Sequence, residues 1–164
     1  MRYLLRDRMF SIGDDFWITT EHGEKVFLVD AKVLRIADTF ELKDNNGHKV
    51  AVIKKKLVSV RDAMKIERDG HVVATVKKKL FTPFRDKYEA VLADGREYEV
   101  HGNFLDHEFA IEENGHRIAH ISRKWFSFRD TYGIDIRDDQ DVALLLSVAV
   151  CVDHMQAAEH ETKL

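Results

Sequence analysis

The chain has 164 residues, 45% of them apolar and 34% charged, with a formal net charge of −3, the profile of one soluble globular domain over residues 1–164. One cysteine excludes an internal disulfide and suits a reducing compartment, and one proline with eight glycines leaves no low-complexity linker. The opening Met1-Arg2-Tyr3-Leu4-Leu5-Arg6-Asp7-Arg8 carries charges where a signal peptide needs an apolar stretch, so a cytoplasmic location is expected.

Turn signals punctuate the chain at hairpin spacing: Ile12-Gly13, His22-Gly23, Asn46-Gly47, Asp69-Gly70, Asp94-Gly95 and Asn114-Gly115. Between them apolar residues alternate, as in Tyr98/Val100, Phe109/Ile111 and Tyr132/Ile134/Ile136. About a dozen strands are predicted between Tyr3 and Ile136, with no helical period among them. An open sheet of that size would leave two edges, so a closed antiparallel barrel is the predicted fold.

The end of the chain changes character. Val142 to Val152 is apolar all round and follows Asp138, Asp139 and Asp141, acids suited to cap a helix and meet its dipole. A helix is predicted near residues 139–155. Its eleven-residue apolar stretch reaches about 16 Å, short of the roughly 30 Å of a bilayer core. No transmembrane span is therefore expected, and the helix belongs inside the barrel. The rival placement is a peripheral membrane hairpin.

A block of about fifteen residues occurs three times, beginning at Gly47-His48, Gly70-His71 and Gly115-His116, passing through a basic run, and closing on Arg61-Asp62, Arg85-Asp86 and Arg129-Asp130. A fainter copy without the basic run starts at Gly23. The columns Ala51/Ala74/Ala119 and Ile53/Val76/Ile121 share a strand face with Lys55/Lys78/Arg123, so those cations must sit at a rim or bulge, or find a carboxylate. The Arg-Asp pairs point apart along a strand and are expected to bridge neighbouring copies at the rim. Charge follows the blocks. Residues 48–87 hold twelve Lys/Arg against four Asp/Glu, whereas residues 88–115 hold one against eight and residues 138–164 one against six. Such bipolarity steers an anionic partner, unless each strand merely carries its own solvated face.

Val100-His101-Gly102-Asn103-Phe104, His107-Glu108-Phe109-Ala110-Ile111, the third repeat and Arg129-Asp130-Thr131-Tyr132-Gly133-Ile134-Asp135-Ile136 occur in order before the apolar terminus. This series resembles the LURP-one-related family, which belongs with the tubby C-terminal domains and the phospholipid scramblases. The resemblance implies a twelve-stranded barrel around a C-terminal helix and no particular chemistry. Tubby domains bind phosphoinositide headgroups through Lys/Arg on the barrel exterior. By that analogy Lys54, Lys56, Lys77, Lys79 and Lys124 are the candidate lipid-binding residues, each adding about 1 kcal/mol near an anionic membrane. The plain alternative is that the lysines guard exposed sheet edges. Residues 130–142 look like the stretch proposed to bind calcium in scramblases, which makes Asp130, Asp135, Asp138, Asp139 and Asp141 weak candidates. They lack the EF-hand order and a closing Glu, and no metal site is expected.

No other catalytic or cofactor motif is present. His116 and His120 lie about 13 Å apart on a strand, too far to share an ion, and His154 and His160 fall in a polar tail. Cys151 inside the apolar stretch reads as a buried hydrophobe. Nucleic-acid binding lacks interleaved aromatics and a positive net charge. The expected protein is a non-enzymatic binding or scaffold module without cofactor. Its expected ligands are anionic phospholipid or phosphoinositide headgroups, met peripherally at the inner membrane surface, and its protein partners are not specified. The alternatives are a scramblase-like membrane-active protein and an enzyme with an unrecognised site.

Overall fold

The computed structural model describes residues 1–6, 15–30, 39–55, 63–79, 86–125 and 131–162. They form β1 (Arg2–Arg6), β2 (Phe16–Thr20), β3 (Lys25–Asp30), β4 (Thr39–Lys43), β5 (Lys49–Lys55), β6 (Ala63–Arg68), β7 (His71–Lys78), β8 (Lys87–Leu92), β9 (Glu97–Asn103), β10 (Glu108–Glu113), β11 (His116–Ser122), β12 (Thr131–Ile136) and the helix α1 (Val142–Thr162). Each strand pairs antiparallel with the next. β12 then closes on β1, from Arg2 opposite Asp135 to Arg6 opposite Thr131. The expected closed antiparallel barrel of twelve strands is the fold of this chain.

The repeat is now a physical unit. Its copies are β3, β5, β7 and β11, each the second strand of a hairpin, and the same start recurs at Gly95 before β9. In two of these turns both central residues need positive φ: Asp69 and Gly70 at 50° and 77°, Asn114 and Gly115 at 51° and 77°. That is the type I′ requirement which Asp-Gly and Asn-Gly satisfy. Register shifts at Ile18/Thr19, Leu42/Lys43, Ile66/Glu67 and Ile111/Glu112 place an irregularity in four hairpins, all towards their turns. Repeated bulges add the coiling that lets a sheet close.

Because the strands form a simple meander, the odd-numbered ones all run the same way. The tight hairpins lie at one end, the turn end. The connections between hairpins lie at the other, the mouth, which includes residues 104–107. Every basic run therefore ends at the mouth.

Inward-facing residues of the strands and α1 share one core. Every side chain from Leu145 to Val152 is fully buried, on all faces of the helix, as expected for a helix enclosed by a barrel. The Ser147 hydroxyl is satisfied there by the Ala143 carbonyl at 2.7 Å. Two expectations about the helix need correction. It ends at Thr162 and not near residue 155, because Asp153, Gln156 and Glu159 continue it as a polar segment. Val142–Glu159 is long and apolar enough to cross a bilayer, so length does not argue against a span; what places the segment in the core is that 61% of it is buried. Nor do three acids cap it. Asp141 alone does, its Oδ1 accepting from the Leu144 N–H at 3.1 Å and its carbonyl from Leu145.

Candidate functional site

The outward lysines have partners on neighbouring strands. Lys54 on β5 lies 2.9 Å from Glu67 on β6, and Lys77 on β7 lies 4.0 Å from Glu89 on β8. Lys79 reaches Glu99 on β9 at 2.8 Å; this hydrogen bond raises the Lys79 ammonium above its ordinary range and lowers the Glu99 carboxyl. The basic and acidic blocks of the sequence are adjacent walls of the barrel, and their boundary is stitched by ion pairs. A closed barrel has no edge for these lysines to guard, and Lys54, Lys77 and Lys79 are not free cations. Lys124 is exposed beyond the end of β11, four strands round from β7, so it does not join them in one patch on the wall. Lys56 lies outside the described residues, as do Arg61, Asp62, Arg85, Arg129 and Asp130.

Of the inward column, Lys78 finds carboxylates at the mouth. Lys78 is held by Glu159 of α1 at 2.5 Å and by Asp86 at 3.1 Å. Gln156 donates to the Tyr88 hydroxyl at 2.8 Å and to Asp86 at 3.3 Å. His107, at φ 49°, sets its Nδ1 3.6 Å from Asp153 and stacks on Tyr132 with centroids 4.5 Å apart. The sequence reading missed this network. Its one signal is the spacing Asp153, Gln156, Glu159, a step of three that carries helical period past the apolar run. His154, read as tail, belongs to the same helix and meets the Phe40 ring edge-on at 5.1 Å.

The acids expected as weak calcium ligands divide among cations. Asp135, Asp138 and Asp139 line a hollow of about 540 Å³ on the outer wall with Arg117, His120 and Arg137. The Met1 nitrogen stands 3.5 Å from Asp135 and 3.4 Å from Asp138, and Arg137 takes Asp139 at 3.0 Å. Asp141 accepts two hydrogen bonds from Arg68 at 2.6 and 2.8 Å. Among the described residues no three His, Cys, Asp or Glu side chains gather as a metal site.

Nucleophilic chemistry fares no better. Cys151 is fully buried, and burial pushes its thiol far above the ordinary range. Ser122 donates its hydroxyl to Glu108, and His120 faces the same carboxylate at 3.7 Å, so the serine and the histidine are not a nucleophile–base pair. Burial, then Arg117, lowers the His120 imidazole.

Residues 1–153 match the family model described as LURP-one-related. A crystal structure of a protein from Arabidopsis thaliana superposes with a TM-score of 0.72 at 18% identity, over 94% of this chain and 90% of that one, a likeness of fold. No match was found among curated proteins.

Proposed function

The chain belongs to the LURP-one-related family, and from that premise we propose a non-enzymatic binding module that works through its outer surface, with anionic phospholipid headgroups as its ligand. The observation that carries this reading is the filled interior. With Leu145 to Val152 fully buried inside the barrel, the fold keeps its centre for its own helix and not for a substrate. Recognition then falls to the exterior, where the repeat has placed three basic runs at one end of the molecule. Cations so arranged favour an anionic surface over a neutral one.

Flotation with vesicles of phosphatidylcholine alone, with phosphatidylserine, and with phosphatidylinositol bisphosphate tests the reading. The expected result is weak binding to the anionic vesicles only. It should fade as the screening length falls from about 10 Å at 0.1 M salt to about 3 Å at 1 M. Equal recovery on neutral and anionic vesicles, or none on either at low salt, overturns the lipid ligand. The membrane-active alternative draws on the length of α1. Against it stands the burial that extraction would undo. A lipid-scrambling assay on vesicles is expected to show no flip-flop above the protein-free rate.

A further inference from the structure

The two ends of the barrel differ chemically among the described residues. The turn-end connections are residues 21–24, 44–48, 69–70, 93–96, 114–115 and 137–141. They contain no large apolar residue and hold two Lys/Arg against eight Asp/Glu. The mouth connection that is described throughout is residues 104–107, Phe104-Leu105-Asp106-His107. Phe104 turns inward, 7% exposed, against Tyr88 and Phe109, whereas Leu105 is 64% exposed, the most exposed large apolar side chain among the described residues. A hydrogen bond from the Asn103 amide to Asp106 at 2.6 Å and one from the His107 N–H to the Phe104 carbonyl hold the loop that presents it.

Cations surround the same opening. Lys55 ends β5, Lys87 begins β8 and Lys124 follows β11, so Lys55 and Lys124 stand on opposite sides of the ring. Among the described residues neither Lys55 nor Lys124 has a carboxylate within ion-pair distance, whereas Lys87 lies opposite Lys79 and acts on the same Glu99. Of the acids nearby, Asp86 and Glu159 are engaged by Lys78 and Glu99 by Lys79, while Asp106 beside Leu105 accepts from the neutral Asn103 amide. An outward leucine at an opening where Lys55 and Lys124 have no carboxylate partner among the described residues matches an anionic bilayer, whose interface takes an apolar side chain and whose headgroups take the cations.

We propose that the mouth of the barrel is the face that lies on an anionic bilayer, with Leu105 entering the interface, Lys55 and Lys124 meeting headgroups, and the acidic turn end facing away. The proposal rests on the lipid reading above and adds the orientation to it.

Two single-cysteine probes test that orientation, because buried Cys151 is shielded from labelling. Leu105→Cys at the mouth and Asn46→Cys at the turn end each carry an environment-sensitive fluorophore. Vesicles of equimolar phosphatidylserine and phosphatidylcholine are added at low salt. Blue-shifted emission at position 105 with none at 46 is the expected result. A shift at 46, equal shifts, or no shift at either while the protein floats with the vesicles overturns the mouth as the contact face. In unlabelled protein, Leu105→Asp and the pair Lys55→Gln/Lys124→Gln should each weaken partitioning roughly tenfold or more at unchanged melting temperature. Lys54→Gln/Lys77→Gln on the wall should change it far less. If both mouth variants bind as wild type, the orientation fails and the lipid reading stands. If wild type does not bind anionic vesicles at all, the lipid reading itself has failed.

Discussion

The two ends of the barrel hold the same helix by different means. At the turn end one partly exposed carboxylate, Asp141, accepts the Leu144 N–H of α1 and the Arg68 guanidinium from β6. At the mouth the helix is already polar, and Asp153, Gln156 and Glu159 are tied to His107, Tyr88, Asp86 and Lys78 in surroundings that are buried or half-buried. The difference follows from helix geometry. An N-terminus presents a few donors that one capping side chain can serve, whereas a helix leaving a barrel must match each rim residue it passes. Between these ends the helix is uniformly apolar, and the fold depends on that middle segment.

The largest expected effect removes what joins the two ends. Leu145→Asp puts an unpaired carboxylate at a fully buried site and should cost on the order of 4 kcal/mol, read by urea unfolding. Deleting the chain from Asp139 onward should abolish cooperative melting altogether. A soluble, cooperative truncated protein would show that the barrel stands without its helix.

Two glycines then set the ends against each other. At Gly102, near the mouth, φ is 144° and an added Cβ would meet the Glu108 carbonyl at 2.4 Å, so Gly102→Ala should cost about 2–3 kcal/mol. At Gly70, in a turn, nothing lies within 4 Å of the Cβ position and φ is 77°. Gly70→Ala there should cost only about 1 kcal/mol. Equal losses in thermal melts would erase the contrast.

Asp141→Ala should cost about 1–2 kcal/mol through the lost cap, with Asp141→Asn recovering part of it. Arg68 holds the Asp141 carboxyl below its ordinary 3.8. Its stabilisation is therefore present in full well above that ordinary value and is lost as pH falls through it to the lowered folded value. The difference in melting temperature between wild type and Asp141→Asn should narrow across that acid window. The smallest effects belong to the wall. Lys54→Gln and Lys77→Gln, each removing one exposed ion pair, should shift stability by less than about 0.5 kcal/mol apiece.

The barrel was legible because its determinants are local. Alternation such as Tyr132/Ile134/Ile136 and turn pairs such as Asn114-Gly115 act through neighbours along the chain, and so does the repeat. The helix was legible in kind and misjudged in length, because hydropathy reports only where the burial is dry. Gln156 is 8% exposed yet polar, since Tyr88 from β8 satisfies it. The candidate site was legible least of all. Lys79 and Glu99 are 20 residues apart in sequence, and the charge blocks that look separate along the chain are neighbours across it.

By itself, the sequence determined the strand and turn pattern, the closed barrel as the way to dispose of so many strands, and the burial of an all-apolar helix. These are consequences of hydrophobic period and backbone sterics, which short segments carry alone. Tertiary structure decided which charges face each other and which end of the barrel each basic run reaches. Pairing depends on distances between strands that no segment encodes. Lys54, Lys77 and Lys79 became members of ion pairs, while Lys55 and Lys124 came to opposite sides of one mouth, because antiparallel closure sends every repeated strand in the same direction.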